Sequence, residues 1–420
     1  MRSRSAVLAG VLAALAVLAA CSDHAPALTG FALSASRSGV PFTAGLASPA
    51  WQARAAALVT QAGFNPQTAT HAYPLLGVAQ YVAVQRAEAA DGGTDAEDLA
   101  SGIGIGRGGR NRLEMDRGAV AGASAVVLTY LFPSQAQALE DLVTTQANAS
   151  PGGPHPAFAQ GEAIGRAVGA DMVTRAQADG FSSPFTGTIP VGSGLWISNT
   201  TPATIAGGQL PGVTPWFLTS ASQFRPGPPP AFGSAAFLAA LGEIKQISVN
   251  RTAEQIGIAT FWALSTGTPT TAGFWIQVAT DGISQHSLSE REATHLYALL
   301  SATMFDAQIG CWDAKETYWF IRPWQADALI TVVAAVGKPN HPSYPSGHSC
   351  LSASGAEVLS TFFPDQRDHL NAMVTEAGLS RMYGGIHYRF DIEAGQTLGR
   401  SVARFAIAAD ASGSSVLTAH

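Results

Sequence analysis

The sequence predicts an all-α protein, a helical bundle carrying long irregular loops. Apolar residues recur at helical spacing through most of the 420-residue chain, Ala and Leu are plentiful enough to hold those runs as helices, and the two-residue alternation of a half-buried strand is scarce. With 47% hydrophobic and 12% charged residues the chain can bury a sizeable core. A net charge of -6 and the near absence of Lys/Arg runs argue against nucleic acid as a partner, because its phosphates reward a basic face. A small anion in a local basic pocket is compatible with both.

In chain order, Arg2 and Arg4 precede an uncharged run from Ala6 to Ala20, the pattern of a targeting segment. The run is shorter than the roughly 20 residues that a membrane-crossing helix needs. Leu18-Ala19-Ala20-Cys21 resembles a bacterial lipobox, which implies a lipoprotein signal peptide over residues 1–20, lipidation of Cys21 and an N-terminal lipid anchor in a membrane. The plainer alternative is a cleaved secretory signal. Either way the folded domain is exported, to the periplasm or the cell surface. Residues 21–49, rich in Ser, Ala, Gly and Pro without period, read as a tether, residues 50–410 as the helical domain and residues 411–420 as a tail.

Within the domain the helical pattern covers 52–63, 75–90, 118–131, 134–147, 160–178, 234–246, 252–264, 289–308, 312–322, 349–363, 366–382 and 388–409. Two stretches interrupt it. Residues 92–112 read as a Gly-rich loop, and 181–232 is dense in Gly, Pro, Ser and Thr, long enough to wrap the helices and roof a pocket. Gly104-Ile105-Gly106-Arg107-Gly108-Gly109 matches G-x-G-x-x-G, but neither the strand before it nor the helix after it that a dinucleotide site requires is expected there. Cys311 and Cys350 can pair in an exported protein or remain two buried thiols.

Three segments in the C-terminal quarter carry the chemistry. In the first, Lys315 and Arg322 are seven residues apart, nearly on one helical face, and Pro323 is expected to end that helix and leave a guanidinium free to fork around an oxyanion. In the second, Ser346-Gly347-His348 opens a helical run: Ser346 is a natural N-cap, Gly347 admits close backbone approach, and the first amides of the helix make an anion site. In the third, Gly384 and Gly385 break a helix between Arg381 and His387, and Asp391, four residues beyond His387, can hold one ring nitrogen and leave the other as nucleophile or metal ligand.

Together, K-x6-R-P, P-S-G-H and S-R-x5-H-x3-D in this order resemble the joint signature of the vanadium-dependent haloperoxidase and type 2 phosphatidic acid phosphatase superfamily. The resemblance implies a helical bundle of that kind over 50–410, with its signature segments at 312–391, and one site that holds vanadate or a transferable phosphoryl group. It implies that Lys315, Arg322, Ser346, Gly347 and Arg381 bind the oxyanion. His387 would be the ligand of vanadium or the phosphorylated nucleophile, His348 the acid/base and Asp391 the residue orienting His387.

Trp312 and His341 stand where haloperoxidases line the pocket, and His341 can equally cap its own turn. Ser222 to Pro230, Arg251 to Gln255 and Phe261-Trp262 are also similar to bacterial haloperoxidases. After that aromatic pair, Ala263-Leu264-Ser265 lacks the acidic partner for Arg381 found in some fungal members, which weighs against chloride. The implied activity is oxidation of bromide or iodide by hydrogen peroxide with vanadate as cofactor. The alternative is a vanadium-free acid phosphatase acting on a phosphate ester.

Overall fold

The computed structural model describes residues 45–91, 107–149 and 153–417. The helices are α1 Ser48–Ala62, α2 Pro66–Ala90, α3 Arg107–Leu131, α4 Ala136–Asn148, α5 Pro156–Ala178, α6 Ala235–Asn250, α7 Ala253–Phe261, α8 Thr270–His286, α9 Glu290–Tyr318, α10 Pro323–Ala326, α11 Gly347–Phe362, α12 Arg367–Tyr383 and α13 Arg389–Ala411. Among the described residues no strand forms, and a single antiparallel bridge joins Leu195 to Phe320. The all-α expectation holds. The 1–20 signal, Cys21 and most of the 21–49 tether lie outside the described residues.

Helix α9 is the axis. Ser289 and Glu292 cap its start reciprocally, with Glu292 Oε2 accepting from the Ser289 amide at 2.8 Å. Almost every turn is buried, and it packs against α2, α11 and α13. At its N-terminus Glu290 accepts the amides of Ala47 and Ser48, tying down the beginning of the domain. Beside this axis α3 and α5 lie backbone to backbone: a Cβ on Gly161 or Gly165 would overlap the carbonyls of Met115 and Ala119.

Four expectations need correction. Thr270–His286 is a helix that the hydrophobic pattern did not reveal. Residues 107–112, read as Gly-rich loop, are the first turns of α3. The segments 289–308 and 312–322 are one helix as far as Tyr318, where Trp319 adopts φ 47 and stops it. Lys315 and Arg322 therefore do not share a helix. Residues 319–322 turn back along the loop at 194–196, through Trp196 N to Trp319 O (2.6 Å) and Ile321 N to Gly194 O (3.1 Å). Arg322 is extended and forms the N-cap of α10.

The long irregular stretch after α5 does wrap the bundle. Asp306, fully buried in α9, accepts the amides of Trp216, Phe217 and Leu218 at 2.8, 2.7 and 3.0 Å, and His71 of α2 bonds Asp179 at 2.7 Å where the stretch begins. These buried acceptors replace the backbone partners that irregular chain cannot supply to itself.

Candidate active site

The three signature segments meet at the mouth of α11. Ser346 caps this helix, its Oγ accepting from the Ser349 amide at 3.4 Å, while its own carbonyl receives Cys350 N at 3.0 Å. The amides of Gly347 and His348 remain as open donors of the first turn, and both residues line a cavity of about 400 Å³. A Cβ on Gly347 would sit 3.6 Å from the Trp312 ring, an ordinary contact. The protein alone therefore does not demand glycine there; the room saved is on the cavity side.

His387 precedes α13 rather than lying within it, yet the pairing with Asp391 forms. Its Nδ1 bonds Asp391 Oδ2 at 2.8 Å, and the same oxygen accepts from Ser343 Oγ at 2.5 Å and Tyr388 N at 3.1 Å. Three donors on one oxygen call for the ionised carboxylate, although burial pushes its pKa upward. On the other side of the ring Arg322 Nη1 lies 3.1 Å from His387 Nε2. Arginine can only donate, so Nε2 is the unprotonated nitrogen and Nδ1 carries the proton. Burial, reinforced by Arg322 and Lys315, holds His387 well below the ordinary histidine pKa.

Each cation is buried but differently engaged. Lys315 Nζ donates to the carbonyls of Pro342 (2.8 Å), Ser343 (3.1 Å) and Pro345 (2.5 Å), which uses all three of its hydrogens to fasten the loop before Ser346. Arg322 reaches His341 O, Ile386 O, His341 Nδ1 and His387 Nε2, and burial lowers it to about 10. Arg381 donates to Ser380 Oγ at 2.8 Å and Ala259 O at 3.2 Å. Those bonds occupy two of its five N–H groups, and no acceptor among the described residues takes the other three. Burial lowers Arg381 to about 9, which leaves it cationic at neutral pH, and no carboxylate offsets that burial, as the sequence 263–265 led one to expect.

His348 bonds the carbonyl of Trp262 through Nε2 at 2.9 Å, so that nitrogen carries the proton and Nδ1 is the free base. Burial and Arg381 keep it well below the ordinary histidine pKa. Trp312 Nε1 donates to Ala206 O at 2.8 Å, and its ring centroid lies 4.9 Å from that of His341. Arg381, His341, Gly347, His348 and His387 all line the cavity, together with Trp312. Lys315, Arg322, Ser346 and Asp391 stand immediately behind that lining.

Sequence reading missed Ser343 and the Trp262 carbonyl. Ser343 lies between His341 and His348 and could have been found by asking what holds Asp391; a backbone carbonyl leaves no signal in side-chain identity. Cys311 and Cys350 are free, buried thiols, so of the two readings of that pair the unbridged one describes this structure. Among the described residues no group of three His, Cys, Asp or Glu side chains could hold a bare metal ion.

Residues 293–411, which contain every signature segment, match the model of the PAP2 superfamily. The fold is that of the vanadium-dependent haloperoxidases. A bacterial vanadium-dependent iodoperoxidase structure superposes with a TM-score of 0.71 at 24% identity, over 86% of this chain and 95% of that one. A holo-type bacterial vanadium-dependent chloroperoxidase gives 0.63 at 16% identity, over 82% and 92%. In sequence, a non-specific acid phosphatase of Providencia stuartii is 31% identical over 115 residues, 26% of this chain and 45% of the phosphatase. This chain thus spans less than half of that relative's length.

Proposed function

We propose that this protein is a vanadium-dependent haloperoxidase that oxidises iodide or bromide, in preference to chloride, with hydrogen peroxide. The observation that carries the reading is the donor set: Arg381 with three uncommitted N–H groups, the open amides of Gly347 and His348, and the unprotonated Nε2 of His387, all from residues that line one cavity. Cations and amides without a carboxylate among them fit an oxyanion rather than a bare cation, and one ring nitrogen suits its central atom. Vanadate is such a group. When bound, it supplies a Lewis-acid centre that activates hydrogen peroxide for two-electron oxidation of a halide.

The chain's own residues have distinct parts in this reading. His387 binds the central atom through Nε2 while Asp391 and Ser343 fix its tautomer. Arg322, which guards Nε2 in the structure, swings an N–H to an oxyanion oxygen, and Arg381 neutralises a second. Lys315 is a fixed charge behind the site and the strut of the 342–345 loop. His348 accepts a proton at Nδ1 from the incoming peroxide, because Nε2 is committed to Trp262 O. An Arg381 without a carboxylate partner and the His341–Trp312 wall support the heavier halides, and an iodoperoxidase is among the structures that share this fold.

The second reading is a vanadium-free acid phosphatase with His387 as the phosphorylated nucleophile and His348 protonating the leaving alcohol. The 31% identical segment favours it, and the two chemistries share one geometry because trigonal-bipyramidal vanadate resembles the phosphoryl-transfer transition state. Assaying the purified protein for iodide and bromide oxidation, with and without orthovanadate, beside hydrolysis of a phosphate ester separates the two. Vanadate-dependent halide oxidation is expected; strong ester hydrolysis inhibited by vanadate would overturn the proposal. Export with a lipid on Cys21 belongs to the same proposal, and a Cys21→Ser variant should lose its membrane association.

A further inference from the structure

Resting on the haloperoxidase reading for its kinetic arm, we infer that Glu376 is a positioning residue for the reaction, acting through Trp262 on the proton-transfer histidine His348. Trp262 is fully buried, and its indole Nε1 donates to Glu376 Oε1 at 2.9 Å. The carbonyl of the same residue accepts from His348 Nε2, also at 2.9 Å. Holding the indole holds the backbone that bears this carbonyl, and the carbonyl sets which ring nitrogen of His348 keeps the proton.

Trp262 is the C-cap of α7, where the last carbonyls of a helix lack partners within it and carry the negative end of its dipole. Two of these carbonyls are given to the site: Trp262 O to His348, and Ala259 O to Arg381 Nη2 at 3.2 Å. Arg381, which has no carboxylate, thus faces a helix end instead. The same negative end favours the imidazolium that forms when Nδ1 of His348 takes a proton.

The end of α7 has to be held from outside, because the chain leaves it at once: Leu264 adopts φ 39, and irregular backbone runs from there to α8. The hold comes from α12. Glu376 and Arg381, five residues apart on that helix, grip α7 at the Trp262 indole and at the Ala259 carbonyl. The rings of Phe261 and Phe274 meet the Trp262 ring edge-on, with centroids 5.4 and 4.9 Å away. Such packing has little direction, whereas the N–H bond to Glu376 does. Glu376 is partly buried and does not line the cavity, so its effect on the reaction passes through Trp262.

Histidine-selective nitrogen-15 NMR of the vanadate-free protein, with His348 assigned by its loss in His348→Ala, reads the tautomer directly. The parent should carry the proton on Nε2, Glu376→Ala a mixture of the two tautomers, and Glu376→Gln, whose Oε1 still accepts from the indole, the parent spectrum. Trp262→Phe removes the same bond from the other side and should match Glu376→Ala, with the double variant no further changed. With orthovanadate and peroxide, Glu376→Ala should lower kcat for iodide roughly tenfold while half-saturating orthovanadate stays within about threefold. A parent-like tautomer in Glu376→Ala, a Gln variant no better than Ala, or an altered tautomer with unchanged kcat would overturn the inference. The NMR arm contains neither vanadate nor halide, so failure of halide oxidation would count against the proposed function and not against the role of Glu376.

Discussion

Asp391 accepts the Nδ1 proton of His387 at 2.8 Å, and the oxygen that does so is shared with Ser343 Oγ at 2.5 Å. One carboxylate thereby sets both the tautomer and the orientation of the ring whose other nitrogen faces the cavity. Asp391→Asn is expected to reduce orthovanadate affinity and turnover about 10–100-fold, the usual cost of losing a residue that orients a ligand. Equilibrium titration with orthovanadate checks this, and His387→Ala should bind none.

His348 lines the same cavity as His387 and Arg381, and its ring Nε2 donates its proton to the Trp262 carbonyl at 2.9 Å. Removing a proton-transfer group commonly costs about 10²–10⁴-fold in rate. His348→Ala should lose turnover on that scale while orthovanadate binds within a few-fold of the parent. Loss of both together would show that His348 holds the anion rather than moving a proton.

Gly207 ties the irregular stretch to the cavity wall. At φ +79 it occupies backbone space that side chains rarely adopt, and a Cβ there would lie 2.6 Å from Trp312 Nε1 and 2.9 Å from Gln67 Cγ. Gly207→Ala should destabilise the protein by about 1–3 kcal/mol and displace Trp312. Thermal melting together with near-ultraviolet circular dichroism would register both effects.

Asp116 in α3 lies far along the bundle from this chemistry. Burial pushes its pKa up to about 7, helped by Glu290 and Asp91 and opposed by Arg112, and its Oδ1 has no hydrogen-bond partner. A carboxyl that titrates higher in the folded state than in the unfolded chain contributes stability that is fully present below about 4 and is lost as pH rises through about 7. Asp116→Asn, neutral throughout, should therefore gain stability on the parent by up to about 4 kcal/mol between pH 4 and pH 8, the gain arising as pH rises through about 7. Chemical denaturation at the two pH values measures it.

The sequence revealed the site better than the scaffold around it. Ser346, Gly347, His348, Arg381, His387 and Asp391 were legible because chemistry fixes residue type and close spacing together. Helix α8 was not, since its first half, Thr270 to Ile276, is buried on every side, and its polar face begins only at Gln277, too late to show an apolar stripe along the whole helix. Gly310 and Cys311 made α9 look like two helices, although buried small residues continue it. Arg322 reached its place by a different route from the one expected. The αL turn at Trp319 and an extended return deliver its guanidinium to His387, where a shared helix with Lys315 would not. The partners of Gln308 and Asp306 come from segments about 90 or more residues away in the chain, a distance over which local pattern is silent.

The most direct measurement is titration of vanadate-free protein with orthovanadate while iodide oxidation by hydrogen peroxide is followed, in the parent and in His387→Ala. Saturable activation of the parent and none in the variant are the expected result. Iodide oxidation that ignores vanadate, or an active His387→Ala protein, would contradict an oxyanion centre built on His387.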